Sequence, residues 1–236
     1  MSRKLTAVLL ITAAVLTNVA FTVLGTVFNY PDVLKEPVED ILARFRASQT
    51  AVVAWFTVLA LSAALFAPIA VGVGRLSADR AMRAAVPVGI AAAVVQVIGL
   101  ARWPVLVPAF AADAASPDPA VAAAARNDFL LAHRILGNLI GETFGYILTA
   151  AWTLLVLLAL HRTLAGLWFT ILGAVSAVLI FAGVLSPLDL PGIDVANFIG
   201  YVLWSLWLVI FAVLLLRRPR TITTTTESAR SDAEGR

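Results

Sequence analysis

Six stretches of about 20 or more predominantly apolar residues set the terms for this chain: Leu5–Phe28, Ala51–Val73, Ala85–Val107, Ile135–Leu160, Leu167–Leu185 and Phe198–Leu216. A hydrocarbon core of about 30 Å is crossed by roughly 20 residues of helix at about 1.5 Å each. Inside it every backbone N–H and C=O must be satisfied without water, so only helices and closed barrels can span. The stretches are rich in Ala, Val and Leu and lack the alternation of barrel strands. The expected fold is therefore all-α, a polytopic membrane bundle of six transmembrane helices. With 61% hydrophobic and 13% charged residues, the composition excludes an ordinary soluble domain. The first stretch follows Arg3-Lys4 as a signal peptide would. It is longer than an h-region and has no small-x-small cleavage site, so it reads as an uncleaved first helix. Residues 1–218 form the expected transmembrane domain, and 219–236 read as a polar, disordered cytoplasmic tail.

Charge placement orients the bundle. With the N-terminus in the cytoplasm, eleven of the 17 cations fall inside, carried by the two ends and the short loops Arg75–Arg83 and His161–Arg162. Ten of the 14 acids fall outside. This is the positive-inside pattern, which predicts a multi-pass cell-membrane protein with both termini cytoplasmic. It also explains the net charge of +3 without a nucleic-acid partner. In the longer outer loops, Pro37 precedes a stripe of Val38, Ile41, Leu42 and Phe45, the pattern of a short amphipathic helix on the outer surface. Asp118-Pro119 reads as an N-cap and first helical residue. A helix from there to Leu160 would measure about 63 Å, twice the membrane, so it must project or bend. Gly137, Gly141 and Gly145 mark the expected bend.

Ionisable groups within the hydrocarbon are costly and each needs a reason. Arg102 on the third span and Glu142 on the fourth are the two strong candidates. Counted from the cytoplasmic ends of their helices they rise about 26 and 27 Å. Equal height on consecutive antiparallel helices predicts a guanidinium–carboxylate pair near the outer edge of the core. Tyr146 and Asn138 lie one turn to either side of Glu142, and Tyr201, Asn197 and Asn18 reach the same level on the sixth and first spans. Such a cluster reads either as a ligand site or as polar groups locking helices together. The Gly137, Gly141, Gly145 ridge lets another helix approach closely, within the bundle or in a homo-oligomer. Trp55, Trp103, Trp168 and Trp204 read as anchors at the membrane interfaces. One internal echo appears: Gly145-Tyr146-Ile147-Leu148 with Trp152, and Gly200-Tyr201-Val202-Leu203 with Trp207. It suggests three related helical hairpins.

Several chemistries fail on inspection. With Cys 0 there is no disulfide or thiolate site. His133 and His161 stand about 42 Å apart on a continuous helix, at opposite faces, and cannot share a metal or haem. His133 alone reads as a solvated interfacial histidine. No Walker A, dinucleotide or nucleophile-elbow motif is present, and neither a cofactor nor a metal is expected.

Gly141-Glu142-Thr143-Phe144-Gly145-Tyr146 followed by Trp152-Thr153, with Arg102-Trp103-Pro104 on the preceding helix, resembles an uncharacterised bacterial integral-membrane family. That family is a domain of unknown function. The resemblance implies a six- or seven-helix inner-membrane protein and brings no substrate, cofactor or catalytic residue. Two functions stay open: a non-enzymatic protein that binds or passes a small ligand at the outer polar cluster, or a structural or interaction subunit with a membrane-protein partner. An enzyme is not expected, since no acid/base or nucleophile constellation is visible.

Overall fold

The computed structural model describes residues 1–161, 164, 166–188 and 190–217. The expected tail, residues 219–236, and Arg162 of the short inner loop lie outside the described residues. The apolar stretches form six membrane-length helical spans, and no strand occurs among the described residues.

Helix α1, Arg3–Phe28, is opened by the Ser2 hydroxyl, which accepts the Leu5 N–H at 3.2 Å. It ends at Asn29, whose left-handed φ of 54° turns its N–H back to the Leu24 carbonyl. A short helix, α2, Val38–Ala47, precedes the second span, which is built of α3, Gln49–Ala64, and α4, Phe66–Gly74. Pro68 offers no N–H to the Ala64 carbonyl, and the seam between α3 and α4 falls there, at Leu65. The third span pairs α5, Arg80–Val105, with α6, Val107–Asp113, and Pro108 repeats the device at the Leu106 seam. The fourth is a 42-residue rod of α7, Pro119–Ala132, a π-helical segment, His133–Phe144, and α8, Gly145–Leu160. The Asp118 carboxylate accepts the Ala120 N–H at 2.8 Å, the cap expected at this position. Gly137 and Gly141, two of the three expected bend positions, lie in the π-helical segment, whereas the third, Gly145, opens the regular helix α8. The fifth span is α9, Leu167–Ala182, extended by a 3₁₀ turn, Gly183–Leu188, and the sixth is α10, Ile193–Arg217. Each span packs against its sequence neighbours, and α1 packs against α10, so the six close into a ring.

One end of the ring, here the capped end, is covered by α2, α6 and α7. The stripe Ile41, Leu42 and Phe45 is buried, so α2 turns its apolar face onto the bundle. Arg46 donates to the Ala111 carbonyl at 2.8 Å, and Arg126 pairs with Glu39 at 3.4 Å, tying α2 to α6 and α7. Beneath this cap, Trp103 is 0% exposed and corrects its reading as an interface anchor. Its indole stacks on Phe56 at 4.7 Å and 10°, with Phe28, Phe45 and Phe129 edge-on or stacked around it. A second core, nearer the terminal end, centres on Trp152, Trp207 and Phe211. Between the two cores lies a polar layer in which Thr17, Ser62, Gln96, Arg102, Glu142 and Thr149 interrupt the apolar spans. Removing the central ring of the capped core should be severe. Trp103→Ala should cost about 3–5 kcal/mol of unfolding free energy in detergent. Trp168→Ala, at a side chain 54% exposed, should cost under about 1 kcal/mol.

Candidate functional site

Missing side chains set the register of the polar layer. A β-carbon on Gly99 would lie 2.5 Å from the Gly141 Cα, and one on Gly141 would lie 2.9 Å from the Gly99 Cα. Backbone therefore touches backbone where α5 crosses the π segment. One step toward the capped end, a β-carbon on Gly137 would meet the Arg102 guanidinium at 2.8 Å. One step the other way, Gly145 faces Gln96, whose Nε2 donates to the Thr149 hydroxyl at 3.0 Å. The glycine ridge is thus consumed inside the bundle by Gln96, Gly99 and Arg102, three successive positions on one face of α5.

This register separates the two charges expected to pair. No Arg102 nitrogen lies within 4.0 Å of a Glu142 oxygen. Gly99 is level with Gly141, so Arg102 sits about one turn nearer the capped end, and its side chain bends that way. Its guanidinium donates to the Gly99 carbonyl of its own helix and approaches His133 Nδ1 at 3.3 Å. It lies 5.3 Å from the Trp103 ring centre, within cation–π reach. Its Nε is buried without a partner, and the residue is 5% exposed. His133, expected to be solvated, is half-buried and stacks on Phe129 at 6.0 Å. It is the side chain that meets Arg102, a role its isolated place in the sequence does not signal.

Glu142 stands beside a different set of groups. Tyr146 follows it by one turn, and the Glu142 charge acts on the Tyr30 phenol. The Tyr146 and Tyr201 rings are 6.0 Å apart, centre to centre. Tyr30 enters from the loop after α1, packed on Phe21 at 5.3 Å and Phe56 at 5.1 Å. Burial pushes its hydroxyl up to about 12, with the Glu142 carboxylate adding to the rise and Arg102 opposing it. Sequence reasoning overlooked Tyr30 because a loop residue has no helical height. Asn197 is buried on Gly183, where its amide donates to the Ile180 carbonyl at 2.8 Å and the Tyr146 ring lies alongside. Asn18 does not join: it is exposed, and its amide is given to the Ala14 carbonyl of its own helix at 2.7 Å. Asn138 contributes its backbone carbonyl to the Thr143 hydroxyl at 2.9 Å, and no side-chain bond is found for it among the described residues.

The echo between the fourth and sixth spans has a packing counterpart. Trp152 sits on Gly89 of α5, and Gly145 faces Gln96 seven residues further along. Trp207 sits on Gly173 of α9, and Gly200 faces Ile180, again seven residues further along. Gly183 occupies the place of Gly99, and Asn197 that of Glu142, each four residues before its tyrosine. The hairpins α5–α8 and α9–α10 share one register.

Crowding at this crossing gives a graded prediction. Gly99→Val and Gly141→Val put side chains against backbone and should each lose about 1–3 kcal/mol or more. Gly145→Ala meets only the flexible Gln96 chain, at 3.2 Å, and should stay within about 1 kcal/mol; thermal unfolding in detergent ranks the three. No curated protein and no solved structure shows significant similarity to the chain. A family model does match, over residues 5–212, covering all six spans but for the ends of the first and last. The chain is a multi-pass membrane protein and belongs to the family described as a domain of unknown function, DUF4386.

Proposed function

We propose that the polar layer is a binding site, at which the protein binds or passes a small ligand reaching it from the capped end, without catalysing a reaction on it. The observation that carries this reading is Glu142. It lies within a membrane span, yet no cation stands within 4.0 Å and no hydrogen bond to it is found among the described residues. A charge at the centre of a span costs about 2.5–3.5 kcal/mol on insertion scales, and even the smaller cost nearer the outer edge calls for a reason. A group kept only to lock helices would be expected to close onto its neighbour. Here the nearest cation spends its donors on Gly99 and His133 instead. The π-helical stretch supports the same reading, since such departures from α-geometry concentrate at functional sites. The positive-inside balance of the sequence supports a capped end outside the cytoplasm and chain ends inside, with the ligand coming from the extracytoplasmic side.

The alternative, a structural or interaction subunit, draws on the contacts of Arg102, which are packing contacts. Because the chain has no cysteine, single cysteines separate the two directly. Glu142→Cys and Tyr201→Cys in intact cells should react with a charged, membrane-impermeant thiol reagent. Val202→Cys, on an outward face at 44% exposure, should not, because a lipid-bathed thiol does not ionise. A sealed cluster, with the first two as inert as the third, would leave the packing role.

A further inference from the structure

We propose that the ligand of this site is a small organic cation, an ammonium seated against Glu142 and walled by the rings of Tyr30, Tyr146 and Tyr201. The inference rests on the ligand-binding reading above and assigns the ligand its charge.

The two buried charges differ in what they have left to offer. Arg102 is enclosed: Gly99 and His133 take its terminal nitrogens, Gly137 lies under the guanidinium, and the Trp103 ring flanks it. An anion could reach it only by displacing those contacts. Among the described residues Glu142 has no hydrogen-bond or ion-pair partner, and its oxygens are not among the sealed, unpartnered atoms of the interior, which include Arg102 Nε and three indole N–H groups. The open valence of the site is therefore negative.

What surrounds that valence suits a particular kind of cation. Tyr146 follows Glu142 by one turn, the Tyr201 ring lies 6.0 Å from the Tyr146 ring, and the Tyr30 phenol feels the same carboxylate. Trp204 stands 6.3 Å from Tyr201, although its indole N–H is committed to the Thr153 hydroxyl at 2.9 Å. Aromatic faces attract a diffuse, weakly hydrated charge, and cages of them hold alkylammonium ions. A hard metal ion would need six or more oxygen ligands, and a lone carboxylate among rings does not supply them. The approach carries the same sign. Asp194 lies in the first turn of α10, three residues before Asn197. Its exposed ion pair with Lys35, at 3.2 Å, joins the Tyr30 loop to α10 and holds the Lys35 ammonium above its ordinary range. Lys35 offsets Asp194 there, and Asp32 at 3.5 Å from the same lysine restores an acidic balance. An acidic mouth raises the local concentration of cations.

The test uses the purified full-length chain in detergent at constant ionic strength. The cationic probes are methylammonium, tetramethylammonium and choline; 3,3-dimethylbutan-1-ol is the neutral isostere of choline, and acetate is the anionic probe. At least one ammonium should give saturable binding by calorimetry and a matching rise in melting temperature, with the isostere at least about tenfold weaker. Glu142→Gln, equal in shape and uncharged, should abolish the binding. Tyr201→Phe keeps the ring and should bind within about threefold of the parent, whereas Tyr201→Leu should bind about tenfold more weakly. If Glu142→Gln does not fold, the Tyr201 pair and the isostere decide the matter. Equal binding of choline and its isostere, or acetate binding lost in Arg102→Gln, would overturn the cation while leaving a ligand site in place. Failure of every ammonium to bind overturns it too. If the cysteines at 142 and 201 are also inert, the ligand-binding reading falls with it.

Discussion

The contact between Gly99 and Gly141 decides how the rest of the interior is arranged. Two helices that touch backbone to backbone have no freedom to slide, since any step in register would bring a side chain into the crossing. That fixed point puts Arg102 over Gly137, where the absent side chain leaves room for a guanidinium. It puts Gln96 beside Gly145 and Thr149, and it leaves Glu142 next to the crossing, one turn before Tyr146. Without van der Waals access at the two glycines there is no hydrophobic force between spans to substitute for it, because lipid tails are as apolar as the helices. The polar layer and the close crossing are the same feature seen from two sides.

How much of this could be read in advance follows from which physical rule applies. The six spans were legible because hydrocarbon thickness imposes a length and lipid a composition. The Pro37 and Asp118-Pro119 helix starts were legible because capping chemistry is local. The seams at Leu65 and Leu106 were missed although Pro68 and Pro108 announce them, since hydropathy alone reads straight through a proline. Trp103 was misplaced for a related reason. Interface anchoring is a statement about depth, and a tryptophan at the right depth can equally be the centre of a core when Phe28, Phe45, Phe56 and Phe129 converge on it. The burial of the α2 stripe was half legible: its amphipathicity was plain, but not which apolar surface it would meet.

At the site, height was legible and azimuth was not. Counting residues brings Arg102, Glu142, Tyr146, Tyr201 and Asn197 to one level; in the structure Arg102 lies against Gly137, about a turn nearer the capped end, and Asn197 meets Tyr146 over Gly183. A guanidinium on a long flexible stem can choose among acceptors within several ångströms of its Cα, and depth says nothing about that choice. Arg102 takes its own Gly99 carbonyl and His133 rather than the carboxylate. Asn18 shows the opposite failure, since its height is right but its helix face points away from the layer. Twelve residues of π-helix also rotate the fourth span out of any 3.6-residue phase, so faces projected from α-geometry are wrong there.

The shared register of α5–α8 and α9–α10 sharpens what is special about Glu142. In both hairpins a tryptophan sits on a glycine of the partner helix, a second glycine receives the next turn, and a tyrosine follows. If these positions served packing alone, the polar residue before each tyrosine could be neutral in both copies. In the α9–α10 hairpin it is: Asn197 spends its amide on the Ile180 carbonyl, fills the space over Gly183, and completes the helix–helix contact. In the α5–α8 hairpin the corresponding place holds a carboxylate that completes nothing internal, and the helix around it is widened. One copy of the arrangement thus supplies the scaffold's own control. The amide shows what a satisfied residue does at this position, and the charge at the corresponding position is the part of the layer that packing leaves unexplained.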